Sequence, residues 1–198
     1  MTNELDKKKR ADAKAPILDA IKHRWSPRAF ADVAIEEERL DAIFEAARWA
    51  ASSYNEQPWR FGVARKREEE AFARALDSLV EFNRQWAASA DTLVVTFAKK
   101  TFSHNDKPNR HAWHDVGAAT AHLMLQARDL GVYSHAMAGF DAAKAEAAFG
   151  ASDEYEAVAV LALGYLGDPD ELPDDLAKQE RAARTRKPLA ELFFKMDR

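Results

Sequence analysis

Hydrophobic side chains recur along this chain at two spacings, and each spacing predicts a different type of element. Leu40, Ile43, Phe44 and Ala47 occupy positions i, i+3, i+4 and i+7, which places them on one face of a helix. Over residues 59–63 large apolar side chains instead alternate with other residues, as in a strand with one buried face. The chain therefore contains both amphipathic helices and strands.

The same two patterns divide the rest of the chain into elements. Helices are predicted within 16–23, from 35 to about 51, within 68–80, over 115–130 and up to Phe149, where Gly150 is the expected C-cap. Strands are predicted near 59–65, 92–98 and 157–165, with a short strand or turn at 133–140. Strands separated by helices favour an α+β fold in which a central mixed β-sheet is flanked by helices.

Two apolar segments have more than one possible partner. Residues 115–130 are apolar nearly all round, which predicts a central buried helix, packed within one subunit or against its symmetry mate. The segment 188–194 ends in two phenylalanines and follows a long polar stretch. The sequence leaves open whether this segment is buried on the same chain or on a partner subunit.

Composition narrows the class of protein. The 198 residues, 47% of them hydrophobic, predict a single domain over 1–198. The absence of cysteine excludes thiolate catalysis, cysteine-bound zinc and iron–sulfur clusters. The net charge of −4 provides no general attraction to nucleic acid or anionic lipid.

The start of the chain is polar. Residues 1–14 include a basic run at 7–10 and no apolar leader, and they are expected to form a flexible, solvated arm. No stretch approaches the eighteen or so apolar residues of a membrane span. A cytoplasmic protein that binds neither membrane nor nucleic acid is therefore expected.

Familiar catalytic and metal motifs are absent from the sequence. It contains no G-x-S-x-G, G-x-x-x-x-G-K-[ST], G-x-G-x-x-G or H-E-x-x-H, and so does not indicate a hydrolase, an NTPase or a Rossmann enzyme. His104, His111, His114 and Asp115 are four possible metal ligands, but their spacing matches no zinc pattern. Helix caps and surface groups are the favoured interpretation, and no metal is predicted.

Two basic turns are candidates for anion binding. Arg24, Ser26 and Arg28 lie near the start of the chain, and Arg184 and Arg186 lie near its end. Arginines beside a hydroxyl can bind a phosphate through paired N–H donors. Arginines are more often solvated surface charges, so the spacing alone is a weak signal.

Five segments between Ile17 and Phe194 resemble, in order, those of the nitroreductase family of flavoproteins. The most specific segment is A-S-S-Y-N-E-Q-P-W at 51–59, where the family has P-S-S-x-N-x-Q-P-W and Ala51 replaces the proline. The other segments are R-x-S-x-R at 24–28, N-R-Q-W at 83–86, x-x-G-F-D at 137–141, and G-Y-L-G at 164–167 with the later basic pair.

The resemblance implies a nitroreductase-like fold and an intertwined homodimer that holds FMN at the subunit interface. Residues 24–28 and the basic pair would bind its phosphate, residues 52–55 would reach it from the other subunit, and residues 83 and 138–139 would lie beside its ring. A C-terminal extension, about 168–198, would wrap the partner. The residues assigned to FMN by the resemblance are Arg24, Trp25, Ser26, Arg28, Ser52, Ser53, Asn55, Asn83, Ala138, Gly139, Arg184 and Arg186.

The resemblance also implies a reaction. NAD(P)H would deliver hydride to the flavin, and an electrophilic acceptor such as a nitroaromatic or a quinone would take it in the same pocket, by a ping-pong mechanism. The flavin carries the chemistry, so no catalytic side chain is assigned, and residues 80–86 and 102–113 are candidates to line the pocket. The alternatives are a flavin dehalogenase or dehydrogenase, a non-catalytic FMN storage or sensing protein, and a helical metal protein.

Overall fold

The computed structural model describes residues 4–194, which are built around a four-stranded sheet. Its strands are β1 (Trp59–Arg65), β2 (Thr92–Lys99), β3 (Tyr133–Met137) and β4 (Tyr155–Gly164), in the spatial order β1-β2-β4-β3. β2 and β4 are central, and β1 and β3 form opposite edges, about 14 Å apart at the usual strand spacing.

The predicted strands and the α+β class are confirmed, but the expected mixed sheet is corrected. All three pairings, β1 with β2, β2 with β4 and β3 with β4, are antiparallel. The apolar pattern of a strand reads the same in either direction, so the sequence predicts that a strand forms and leaves its direction undetermined.

Helices surround this sheet and include all those predicted from the sequence. Within residues 4–194 they are α1 (Glu4–Lys8), α2 (Asp19–His23), α3 (Glu37–Arg48), α4 (Glu69–Asp77), α5 (Glu81–Ala87), α6 (Ala112–Asp129), α7 (Ala142–Phe149) and α8 (Asp174–Arg181). Gly150 caps α7 with φ of 60°, as expected for a glycine C-cap. The sequence did not predict α1, α5 and α8, whose lengths are five, seven and eight residues. Each of these three helices contains at most three apolar residues, too few for a clear periodic pattern.

Alternation along β2 explains why helices cover both faces of the sheet. Leu93, Val95 and Phe97 belong to one core cluster, and Val94 and Ala98 belong to another. Successive side chains of a strand point to opposite faces, so each face needs its own apolar cover. Helices α4, α5 and α7 cover the first face, and α3 and α6 cover the second.

Helix α6 is buried along one face only in the single chain. Val116, Ala119, Leu123 and Ala127 point into the core, mostly against α3. The opposite face, which includes Gly117, is exposed. Packing within one chain therefore buries only one face of the predicted central helix, and packing of the other face against a symmetry mate stays a prediction.

The two ends of the described chain differ in burial. In the segment 1–14, expected to be a flexible arm, α1 packs on the core through Asp6, which is 3% exposed. The apolar residues of 189–194 are instead exposed, with Leu189 at 69% and Phe193 at 63%. Residues 1–3 of the predicted arm and 195–198 of the predicted extension lie outside the described residues.

In residues 4–194, no helix combines the length and the apolar character that crossing a membrane requires.

Candidate functional site

The first basic turn, residues 24–28, is held through its backbone by two distant elements. The Glu180 carboxylate of α8 accepts hydrogen bonds from the backbone N–H groups of Arg28 at 2.7 Å and of Ala29 at 3.2 Å. On β3, His135 Nδ1 lies 2.9 Å from the carbonyl oxygen of Pro27. Because a carbonyl oxygen only accepts, the imidazole donates through Nδ1. These three hydrogen bonds fix the backbone of the turn without using an arginine side chain.

The second basic turn folds onto the first. The Arg184 guanidinium donates to the carbonyl oxygen of Lys22 at 3.0 Å and to that of Arg24. Arg24 in turn donates to the Ser26 hydroxyl at 3.1 Å. Five predicted residues therefore meet at one place, which we call the basic cradle: Arg24, Ser26, Arg28, Arg184 and Arg186.

The basic cradle concentrates positive charge. Burial lowers the pKa of Arg24, and the charge of Arg186 lowers it further. Burial also lowers the pKa of Arg184, with further lowering by Arg24 and Arg186. Among the described residues, none of the four cradle arginines forms an ion pair with a carboxylate. A bound anion would reduce the repulsion among these like charges.

Two buried donors in the cradle have no acceptor within the described part of the chain. The Nε atoms of Arg28 and Arg184 are buried and make no hydrogen bond to any residue of 4–194. Leaving a buried N–H group without a partner costs roughly 1–3 kcal/mol, and more for a charged group. A phosphate group has enough oxygens to accept from several guanidinium groups at once. The residues present therefore fit a phosphate.

A second set of predicted residues follows the end of β3. Ala138 and Gly139 come directly after the strand, and the Gly139 carbonyl accepts from Asn83 Nδ2 at 3.0 Å and from the Val80 N–H at 3.1 Å. A Cβ at position 139 would lie 2.8 Å from Asn83 Nδ2 and 2.9 Å from Val80 Cγ2. Only glycine allows the backbone to come this close to α5.

Helix α5 connects this set with the basic cradle. The Arg28 guanidinium lies 6.0 Å from the ring centres of both Phe82 and Trp86. The Trp86 ring in turn packs against that of His135, at a centroid distance of 4.5 Å. Phe82 is 51% exposed, so an aromatic surface borders the cradle.

Trp25 is placed differently from the other residues of its turn. Its side chain is 2% exposed and donates from Nε1 to the Asp6 carboxylate at 3.0 Å. The ring also packs edge-on against Tyr133. Within this chain the indole therefore packs against α1 and β3.

The predicted turn at 52–57 has an internal hydrogen-bond network. The Ser52 hydroxyl accepts from the Gln57 N–H at 2.9 Å, and Gln57 Nε2 donates to the Asn55 carbonyl at 2.9 Å. The Asp115 carboxylate, 3% exposed, accepts from the Ser53 N–H at 3.0 Å. Gln57 thus shapes the turn, while Asn55 is exposed.

This turn is strained and is held from outside. Tyr54, Asn55 and Gln57 have φ of 55°, 54° and 51°, a left-handed conformation that is unfavourable for a bulky residue such as tyrosine. The Glu56 carboxylate accepts from the Ser103 N–H at 3.0 Å and from its hydroxyl at 2.6 Å. Strain of this kind persists only where surrounding contacts enforce it, and it is common at binding sites.

The histidine tract takes part in this second region without forming a metal site. His104 packs against Phe102 and Tyr54, at centroid distances of 5.3 and 5.4 Å. His114 lies beside Asp115, which is already bound to the 52–57 turn. Across residues 4–194, no three histidine, cysteine, aspartate or glutamate side chains are grouped so that they could hold a metal ion.

The two predicted regions lie at opposite edges of the sheet. The basic cradle adjoins β3 through His135, whereas the 52–57 turn leads directly into β1. No hydrogen bond or ion pair of the described chain joins residues 24–28 to residues 52–57. The two sets of predicted residues are therefore separate in this chain.

Three residues that fix these turns were not predicted from the sequence, namely Glu180, His135 and Glu56. Each of them acts on backbone groups far along the chain, as Glu180 does across 152 positions to Arg28. No spacing or motif in a single sequence marks such a pairing.

Comparison with known proteins gives a consistent family. The model of the Nitroreductase family matches residues 21–165. A Streptomyces coelicolor protein is 28% identical over 178 residues, covering 80% of this chain and 86% of its own length, and its name proposes an NADH dehydrogenase or NAD(P)H nitroreductase. An uncharacterised Mycolicibacterium smegmatis protein is 34% identical over 119 residues, covering 60% of this chain and 79% of its own length.

Solved structures extend the similarity over nearly the whole chain. A crystal structure described as an oxidoreductase containing FMN is 34% identical, has a TM-score of 0.86 and covers 98% of this chain and 97% of that one. A nitroreductase family protein from Clostridium difficile 630 is 25% identical, with a TM-score of 0.70 and coverage of 91% and 98%.

Proposed function

Because this chain belongs to the nitroreductase family, we propose that it is an FMN-dependent oxidoreductase that uses NAD(P)H to reduce a nitroaromatic, a quinone or a similar electrophile. The basic cradle carries the proposal, since among residues 4–194 its four arginines form no ion pair with a carboxylate and the buried Nε atoms of Arg28 and Arg184 have no hydrogen-bond partner. A phosphate would satisfy both features at once. The solved relative with 34% identity, described as containing FMN, supports FMN as the source of that phosphate.

The residues near the end of β3 would hold the ring of the cofactor. Gly139 has no side chain, so the backbone after β3 lies directly against Asn83 and Val80 and is held there by hydrogen bonds to its carbonyl oxygen. Val80 and Phe82 are 46% and 51% exposed beside them. This apolar surface is the proposed place for the nicotinamide and, after it leaves, for the acceptor.

Bound FMN would supply the redox chemistry, since its ring accepts hydride from NAD(P)H and passes it to the acceptor. The chain itself would neutralise the phosphate, orient the ring and shield one side of it from water. None of these tasks requires a side-chain nucleophile. If donor and acceptor share one surface in turn, the kinetics are ping-pong.

We further propose that a homodimer completes the site. The 52–57 turn and the basic cradle lie at opposite sheet edges of one chain, so the turn of a second copy would reach the cradle of the first. The exposed apolar side chains of 189–194, with Leu192 at 62%, offer a segment that a partner would cover. A solvated tail would not be expected to carry several large apolar residues.

The test is the visible absorption spectrum of the purified protein before and after anaerobic addition of NADPH or NADH. We expect yellow protein that releases FMN on denaturation and is bleached by at least one of the two donors. Steady turnover with a quinone or nitroaromatic would separate an enzyme from an FMN storage or sensing protein. Protein that is colourless and cannot be reconstituted with FMN would refute the proposal.

A further inference from the structure

We propose that Glu180 is a positioning residue of the basic cradle, whose buried carboxylate sets the first basic turn against the second. This role rests on the proposed function, because it assigns Glu180 to the phosphate end of the bound FMN. No sequence motif includes Glu180, and its side chain does not belong to the cradle itself.

The carboxylate is placed to act on backbone rather than on ligand. Glu180 is 1% exposed, and one of its oxygens accepts from two successive N–H groups, those of Arg28 at 2.7 Å and Ala29 at 3.2 Å. Burying a carboxylate is costly unless hydrogen bonds compensate for the lost water. Two bonds to adjacent peptide groups fix the direction in which the backbone leaves Arg28, and hence the origin of its guanidinium.

Glu180 also connects the two basic turns along the chain. It lies in the last turn of α8, four residues before Arg184. Arg184 then returns to the first turn and donates to the carbonyl oxygens of Lys22 and Arg24. The first turn is therefore held from its N–H side by Glu180 and from its carbonyl side by Arg184.

The charge of Glu180 suits this position. Its negative charge raises the pKa of nearby Lys9, against a larger lowering by burial, and the charges of Arg184 and Arg28 lower that pKa as well. A buried carboxylate in this surrounding reduces the repulsion among the cations. Since its oxygen is already bound to backbone, it does so without occupying the place of the phosphate.

The contacts of Glu180 predict a selective effect. Its hydrogen bonds go to the turn of the cradle, whereas Asn83 and Gly139 at the proposed ring end are bound to each other. Loss of Glu180 should therefore weaken the phosphate contacts and spare the ring contacts. Riboflavin, which has the ring and no phosphate, is the probe that separates the two.

The experiment measures the Kd of FMN and of riboflavin for the flavin-free full-length protein, by quenching of flavin fluorescence. We expect Glu180→Ala to raise the Kd of FMN about tenfold and that of riboflavin less than about twofold. Glu180→Gln keeps the shape and one acceptor oxygen and should have a smaller effect in the same direction. The control is Glu171→Gln, the same chemical change at an exposed position, which should leave both Kd values unchanged.

The outcomes separate this role from the proposed function. Equal weakening of FMN and riboflavin binding, or no change in either, would overturn the positioning role while the unchanged protein still binds FMN. Failure of the unchanged protein to bind FMN at all would overturn the proposed function and this role together. Circular dichroism of each variant shows whether it folds, and if Glu180→Ala does not, Glu180→Gln decides the question by the same FMN-to-riboflavin ratio.

Discussion

His135 illustrates how surroundings determine the chemical state of one residue. Burial lowers its pKa to about 4, the hydrogen bond to the Pro27 carbonyl opposes this, and the charges of Arg28 and Arg24 lower it further. Its ring also packs on that of Trp86. The imidazole is therefore neutral at physiological pH and serves as a hydrogen-bond donor to the basic turn.

We expect the free energy of unfolding to fall as the pH is lowered from 6.5 towards 4. The unfolded chain binds a proton at His135 with the ordinary pKa of 6.5, whereas the folded chain resists protonation until about pH 4. Above pH 6.5 both states hold His135 neutral and its titration does not reduce the free energy of unfolding. As the pH falls from 6.5 to 4, protonation of the unfolded chain lowers that free energy by an amount on the order of 3 kcal/mol. Urea unfolding at several pH values measures it.

The control for this pH dependence is His135→Asn, which keeps a donor near the Nδ1 position and does not titrate in this range. Its unfolding free energy should vary less between pH 6.5 and 4 than that of the unchanged protein. Parallel pH profiles for the two proteins would show that His135 is not the responsible group.

Among the elements, α1 shows most clearly that tertiary contacts can decide whether a helix forms. A helix of five residues has little stability of its own in water. The Asp6 carboxylate accepts from Trp25 Nε1 at 3.0 Å and pairs with Arg128 at 2.7 Å, and the Lys9 ammonium lies 4.8 Å from the Trp25 ring centre. These contacts hold α1 against Trp25 of the first basic turn and against Arg128 of α6.

Replacing Asp6 should therefore destabilise the whole fold. Asp6→Ala removes the acceptor of the Trp25 indole N–H and the carboxylate partner of the largely buried Arg128 guanidinium, which still donates to the His23 carbonyl. The expected cost is about 3 kcal/mol. The matched control is Asp12→Ala, which removes an exposed carboxylate paired with exposed Lys14. Its free energy of unfolding should change by less than about 0.5 kcal/mol. If both variants lose equally little free energy of unfolding in denaturant, α1 is not packed on the core as described.

The contact between β1 and α7 depends on a residue without a side chain. A Cβ at Gly62 would lie 2.6 Å from the Phe149 ring, whose edge packs against Phe97. Gly62→Ala should thus destabilise the protein by about 1–3 kcal/mol through overpacking. Adding Phe149→Leu should recover part of this loss in a double-mutant cycle, and strictly additive losses would contradict the proposed clash.

For the whole molecule, the proposed homodimer predicts that two subunits complement each other. In a two-fold symmetric dimer, each complete site would take its basic cradle from one subunit and its 52–57 turn from the other. Arg28 and Asn55 represent the two parts, and each can be changed separately.

Homodimers of Arg28→Ala and of Asn55→Ala should each bind FMN weakly. Co-refolding equal amounts should restore tight binding to about one quarter of the sites, because half of the dimers are mixed and each mixed dimer has one site free of both changes. The amount of FMN retained after gel filtration measures this fraction. If both residues served the same site from one chain, mixing would restore nothing.

Much of this protein could be predicted from its sequence, because the relevant information is local. The spacing of Leu40, Ile43 and Ala47 predicted α3, and these three side chains are buried as the spacing requires. The runs that became β2 and β4, and the glycine after α7, were also recognisable, since burial on both faces and a left-handed cap each demand particular residue types. The basic turns were visible as candidates, and the resemblance linked them to a single anion.

The tertiary structure alone decided the relations between distant residues. Strand direction, the exposed face of α6 and the docking of α1 depend on which surfaces meet, and that choice is made by the packing of the whole chain. Glu180 and His135 lie 152 and 108 positions from the backbone groups that they hold. Almost every residue type offers the same backbone N–H and carbonyl groups, so a hydrogen bond to backbone cannot be recognised from the type of its partner. The arginines of the cradle could therefore be predicted from the sequence, whereas the residues that position them were found only in the fold.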